Sequence, residues 1–375
     1  SVRLGAKRPE AANNIFTIAC LLIFGQGIVV GGALYFLAPT LLGLMGAEGA
    51  LAAMAVQYLR VYAVCSPIVG CVFASDNFLR ICGQIRTSMM LNVLMSVLCV
   101  VFEFFFLAVL RIGIRGAALG TCLSMMVCAF LAMLPFFRGK MALKFVRPKF
   151  SRRILGQIVS CGCPTFLNNI AGRVTSIIMN MVLLQLGGAS AVSVYGILMY
   201  ADGIILQLMY GMCDSLQPAV GYNWGAARRD RVVAIERCCF TAAAVISLVG
   251  AAVLFTFPRQ TAELFMATAG AEVLDMAEPA LRIFSLTYIT RWFSFATQSF
   301  VSAIEKPVQA SILSVSTALL FPVGLIVALW PMGLSGLWAN MPGTALLAGI
   351  TAGIILLDLR RRVWNSPHKV REPGA

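Results

Sequence analysis

The sequence predicts an all-α, polytopic membrane protein, and three observations carry that reading. Hydrophobic residues fill 60% of the 375 positions and charged residues only 12%, about half the charged share of a soluble globular domain. Around a water-soluble core this composition leaves too few polar side chains to cover the outside, a shortage that lipid removes. The apolar residues gather in ten stretches long enough to span a bilayer, which takes about 20 residues. The basic residues sit in the short connections between them.

The spans follow in order at 14–37, 52–79, 87–110, 114–137, 155–185, 190–220, 232–257, 277–303, 308–330 and 334–358. None alternates as a strand does. Pro67, Pro164, Pro218, Pro322 and Pro342 fall inside spans, where packed neighbours satisfy the backbone groups that proline frees. Summed over alternate connections, one side carries 22 Lys and Arg residues and the other only Arg111, Arg115 and Arg259. The rich side is expected to be cytoplasmic, which places both chain ends there. The net charge of +14 is therefore a topology signal; nucleic-acid binding would need one basic, solvated face. Most of the twelve cysteines lie inside apolar runs and read as small buried hydrophobes rather than disulfides or metal ligands.

The chain also echoes itself. Leu4-Gly5-Ala6-Lys7-Arg8 corresponds to Trp224-Gly225-Ala226-Ala227-Arg228, at an offset of 220. Tyr58-Leu59-Arg60-Val61 matches Ala280-Leu281-Arg282-Ile283 at 222, and Gly113-Ile114-Arg115-Gly116 matches Gly333-Leu334-Ser335-Gly336 at 220. Spans 1–4 thus mirror spans 7–10 with one polarity, as in parallel repeats. The division is expected at 1–150, a bundle short of its first two helices, and 151–375, a six-helix bundle with a cytoplasmic tail. By the repeat logic, about 70 residues and two helices are expected upstream of Ser1; a protein of ten helices is the alternative.

Several motifs identify a family. Gln217-Pro218-Ala219-Val220-Gly221-Tyr222-Asn223-Trp224-Gly225-Ala226 resembles the Q-P-x-x-G-x-N-x-G-A signature of the multidrug and toxic compound extrusion (MATE) family. Asn77-Phe78-Leu79-Arg80 with Gly83, Gly113-x-x-Gly116-Ala117-Ala118-x-x-Thr121, Gly162-x-Pro164, and Gly336-Leu337-Trp338-Ala339 with Pro342 are similar to further family strings. The resemblance implies family helices 3–12, a two-bundle fold and a cation-coupled antiporter exporting organic cations and drugs by alternating access. In physical terms, Pro218 is expected to break its helix, Gly221 and Gly225 to permit a turn, and Gln217 to hydrogen-bond inside the bundle.

Charges inside spans are expensive and mark functional candidates. Glu103, among Phe102, Phe104, Phe105 and Phe106, suits proton exchange or a structural carboxylate equally. The resemblance implies an Asn four residues before it, where this chain has Cys99. Asp202 and Arg173 are expected to form an ion pair, with Asn168, Asn169, Gln185 and Gln298 as pocket-lining amides and Arg291 as a cavity or interface residue. As interhelical glue the amides serve equally well. Asp76 and Arg80, spaced i,i+4, read as a local pair. Met179, Met181, Met199, Met209 and Met212 suit either a pliable pocket or ordinary bundle filling. The carboxylates that some family members carry on helices 7 and 10 fall here near Gly172 and Ser294, which leaves the coupling ion, proton or sodium, open and a metal site unassigned.

A flippase or exporter of lipid-linked or polysaccharide precursors is the second reading, and its phosphates would call for arginines. An enzyme is disfavoured, since His368 is the one histidine and no H-E-x-x-H or G-x-S-x-G occurs. No cofactor beyond the coupling ion is expected. The expected setting is the bacterial cytoplasmic (inner) membrane, with the lipid bilayer and small organic cations as partners, no nucleic acid, and a monomeric state.

Overall fold

The computed structural model describes residues 1–44, 49–265 and 270–361, apart from the side chains of Leu44, Asp214 and Ala271. His368 lies outside the described residues. Secondary structure among these residues is helical, without strands. The helices are α1 (Val2–Gly5), α2 (Pro9–Leu44), α3 (Gly49–Ile81), α4 (Ile85–Phe104), α5 (Ile114–Phe137), α6 (Arg152–Gly225), α7 (Arg229–Thr256), α8 (Pro258–Phe265), α9 (Ala271–Ser285), α10 (Thr287–Ala303), α11 (Pro307–Val315), α12 (Phe321–Leu329) and α13 (Gly333–Leu359). A π-turn (Phe105–Val109) extends α4, and another (Ser316–Leu320) joins α11 to α12.

Each of the ten sequence spans finds a helical rod among the described residues. Two spans share the 74-residue α6, which Gly188 divides with φ 63° and ψ −158°. That conformation is nearly exclusive to glycine, because a Cβ clashes there. The span expected at 277–303 begins earlier, at Ala271, and breaks at Leu286 between α9 and α10. The acidic connection before it is partly helical: α8 carries Arg259, which meets Glu263 at 3.5 Å and Asp275 at 3.9 Å.

The chain divides into two compact units, one of residues 7–155 and one of Gly156 onward, to which Val2 and Leu4–Ala6 also belong. In the first unit α3 packs against α2 and α5, and α4 packs against α5. Met89, Val93, Val97 and Val100 leave an apolar face of α4 exposed, as lipid requires and water forbids. The basic connection before α6 is extended and laced to α2. Lys144 N donates to Asn13 Oδ1 (3.0 Å), Val146 N to Thr17 Oγ1 (3.2 Å) and Lys149 N to Asn14 Oδ1 (2.8 Å). Those bonds satisfy backbone groups that have no helix of their own.

In the second unit α10 packs between α7 and α13, and α9 leans on both. Its larger core gathers Met179, Leu183, Tyr195, Phe284, Tyr288 and Trp338, and a second core groups Leu216 and Val220 with Val232 and Phe300. The sequence repeats recur as repeated backbone geometry. Lys7 and Ala227 both take a positive φ (55° and 57°), as do Gly83 and Glu305 (80° and 58°), while Gly113 (φ 73°, ψ −150°) and Gly333 (φ 61°, ψ −140°) share a conformation nearly exclusive to glycine. Their closing hydrogen bonds match too: Arg8 N to Arg3 O at 3.0 Å, and Arg228 N to Asn223 O at 2.9 Å.

Candidate functional site

The second unit holds a cavity of about 500 Å³ walled by both arms of α6 and by α10, the α11–α12 junction and α13. This lies within the range of small-molecule sites. Pro322 shapes one wall. Its ring excludes the carbonyl four residues back, that of Ala318, and the chain takes up the mismatch as the π-turn just before it. Thr175 on α6 donates its hydroxyl to the freed Ala318 carbonyl (2.5 Å), and the buried Asn340 amide donates to Pro322 O (2.8 Å). A π-turn with such partners is a frequent mark of a functional wall.

Asp202 is the buried carboxylate of this cavity, with 7% exposure. Its Oδ1 accepts a short hydrogen bond from Tyr288 Oη and a charge-assisted one from Arg291 Nη1 at 2.7 Å. The ion pair expected between Asp202 and Arg173 is therefore not formed. Both residues lie on α6, on opposite sides of Gly188, whereas Arg291 on α10 reaches the carboxylate directly. Arg173 lines the same cavity with its side chain exposed and takes no ion-pair partner among the described residues. Asn168 and Asn169 line it as expected, but Gln298 and Gln185 do not. Asn169 donates to Thr165 O (2.9 Å). Met179 and Met199 face the cavity with Met341, whereas Met209 is core and Met181 is exposed.

Glu103 lies in the first unit, half-buried between α4 and α5. Thr121 Oγ1 donates to its Oε1 at 2.6 Å and Cys99 Sγ at 3.3 Å. The polar neighbour four residues earlier is thus retained as a thiol, and Thr121 adds a stronger donor. Gly120 lets the helices meet there: a Cβ on it would stand 2.7 Å from Glu103 N. Asp76 and Arg80 pair at 2.8 Å, within a larger network. Asn92 Nδ2 donates to Asp76 (2.9 Å), Arg80 Nε donates to Ser88 Oγ (3.1 Å), and Ser88 donates to Asp76, tying α3 to α4.

The MatE family's sequence model matches residues 1–105 and 164–328. The chain belongs to the MATE family. It is a multi-pass membrane transporter and not an enzyme. The multidrug export protein MepA of Staphylococcus saprophyticus is 25% identical over 341 residues, covering 90% of this chain and 74% of that protein. MepA of Staphylococcus aureus is 24% identical over 368 residues, covering 96% and 79%. In fold, a MATE crystal structure in complex with MaL6 superposes with a TM-score of 0.88 at 23% identity, covering 96% of this chain and 82% of that one. An outward-facing MATE family multidrug resistance transporter superposes at 0.89, again at 23% identity, covering 98% and 82%.

The MATE signature at the end of α6 works differently from its sequence reading. The helix runs unbroken through Pro218 to Gly225, because Leu216 and Val220 are fully buried on either side of it and neighbouring helices hold the segment. Gln217 does bond inside the bundle, donating to Ser299 Oγ at 3.0 Å. Asn223 folds back on its own helix, its Nδ2 donating to Ala219 O one turn earlier (2.9 Å). Gly221 is buried within the helix. Gly225 is demanded by close approach and not by a turn: a Cβ there would stand 2.0 Å from Val2 O, while the left-handed residue is Ala227. Gly5 mirrors this, a Cβ there standing 1.9 Å from Tyr222 O.

Tyr288 and Asn340 are missed from sequence: an aromatic inside an apolar run gives no sign of what it faces, and Asn340 carries the same signal as the other in-span amides without a charged neighbour to draw attention to it. In sequence, Arg60 figures only in the repeat. It lies over the Tyr35 ring at 5.3 Å, and with Gln57 and Arg115 it lines a cavity of about 390 Å³ in the first unit. An arginine inside the apolar span 52–79 was the available signal.

Proposed function

We propose that the protein exports drugs, organic cations among them, as a cation-coupled antiporter working by alternating access in the bacterial inner membrane. The carrying observation is the roomy cavity of the second unit, lined by both methionines and polar groups, in a chain of the MATE family. Relatives named multidrug export proteins support drugs as the cargo. Glu103, poised under two donors and half-buried, is the group proposed to exchange the coupling proton, with sodium as the other candidate ion. Cytoplasmic chain ends rest on the Lys and Arg asymmetry of the connections.

The test is ethidium efflux from cells producing the full-length protein, with proton and sodium gradients imposed separately. Efflux that follows one gradient supports the antiport reading and names the ion. Absence of gradient-dependent efflux of any organic cation refutes it.

A further inference from the structure

The charge balance of the second-unit cavity is not that of a site for cations alone. Among the described residues its lining contains two guanidinium groups and one carboxylate, and the carboxylate is committed to Arg291 and Tyr288. Arg173 is thus an uncompensated cation in a span of apolar helix. Such a charge persists at membrane depth only where water or a counter-charge reaches it. Its neighbours on the cavity wall are neutral: Asn168 and Asn169 lie one turn back on the same helix. On other walls of the cavity, the buried hydroxyls of Thr287 on α10 and Thr317 in the α11–α12 junction lack hydrogen-bond partners.

We propose that Arg173 receives an anionic group, a carboxylate, of an amphipathic substrate whose apolar body lies against Met179, Met199 and Met341. A guanidinium offers two parallel N–H donors that match the two oxygens of a carboxylate. The thioethers provide a wall that adapts to varied shapes. Cargo of this class would be drugs that carry an acid beside an aromatic frame. The inference deepens the drug-export reading and rests on it.

The experiment is equilibrium binding to the purified protein in detergent, using three fluorescent probes on one frame: 1-pyrenebutyrate, its methyl ester and a trimethylammonium analogue. Arg173→Gln and Arg173→Lys are compared with the wild type, and each melts as the wild type does because Arg173 holds no ion pair. The acid is expected to bind roughly tenfold or more tightly than the ester, from a charge-assisted bidentate pair. That preference should vanish in Arg173→Gln and survive in part in Arg173→Lys. Equal binding of acid and ester in the wild type overturns the inference and leaves drug export standing. Failure of all three probes to bind overturns drug binding in this cavity and the inference with it. A soluble short-chain phosphatidic acid that displaces the pyrene acid, and binds more tightly through Arg173, overturns it in favour of a lipid headgroup.

Discussion

Replacing Asp202 with leucine should destabilise the second unit more than any other single change in its cavity. The substitution removes the acceptor from two donors at once, leaving the Arg291 guanidinium without a counter-charge and Tyr288 Oη without a partner. Breaking a buried ion pair by deleting one member costs about 3–5 kcal/mol. The Arg291 side chain keeps 26% exposure, so water screens part of the loss and the lower end of that range, about 3 kcal/mol, applies. For a unit of this size each kcal/mol moves Tm by about 2–4 °C, which gives a fall of about 6–12 °C. Arg291→Met should cost less, since a carboxylate can take up a proton and a guanidinium cannot lose one. Asp202→Leu combined with Arg291→Met should recover most of the loss, because well-packed apolar residues replace a buried pair at little cost. Thermal melting followed with a thiol-reactive fluorophore suits the assay, as none of the twelve cysteines is in a disulfide. A double variant that melts no higher than Asp202→Leu alone would refute the reasoning, since the two groups would then be acting separately.

Other outcomes test the backbone and the first unit. Gly188→Ala forces a Cβ into φ 63°, ψ −158°, and Tm should fall by the equivalent of about 1–3 kcal/mol, whereas Gly162→Ala, in regular helix with open space around it, should be neutral or slightly stabilising. Equal melting of the two would sink the junction argument. Gly120→Val pushes a side chain against the Glu103 backbone, 2.7 Å from its nitrogen, so overpacking of about 1–3 kcal/mol is expected, again read by Tm. Glu103→Gln preserves shape and hydrogen-bonding capacity but cannot ionise; the dependence of efflux on pH should disappear while protein levels hold. An unchanged pH profile would leave Glu103 a structural residue.

The elements were largely readable in sequence because the bilayer imposes a simple rule on each: apolar length, intact helix, basic residues on one side. The repeat was readable for a related reason. Lys7 and Ala227, and likewise Gly113 and Gly333, take positive φ inside short strings that recur at an offset of 220. The helix limits were less legible. Nothing local separates the two arms of α6 except one glycine, and glycines are common in apolar helices. Pro218 looked like a break because sequence rules price its missing N–H but not the packing that holds the helix on both sides.

The site divided along the same line. Sequence alone picked out Glu103, Asp202, Arg173 and Arg291, because an ionisable group in an apolar run stands out by the cost of burying it. Which charges meet was decided only in three dimensions. Asp202 is paired by a residue 89 positions away, and a tyrosine joins it without any sequence signal. Arg173, expected to be its partner, is instead left facing the cavity. Desolvation cost belongs to a residue and its immediate neighbours, so the sequence carries it; pairing belongs to the rotation and depth of whole helices, which only their mutual packing fixes.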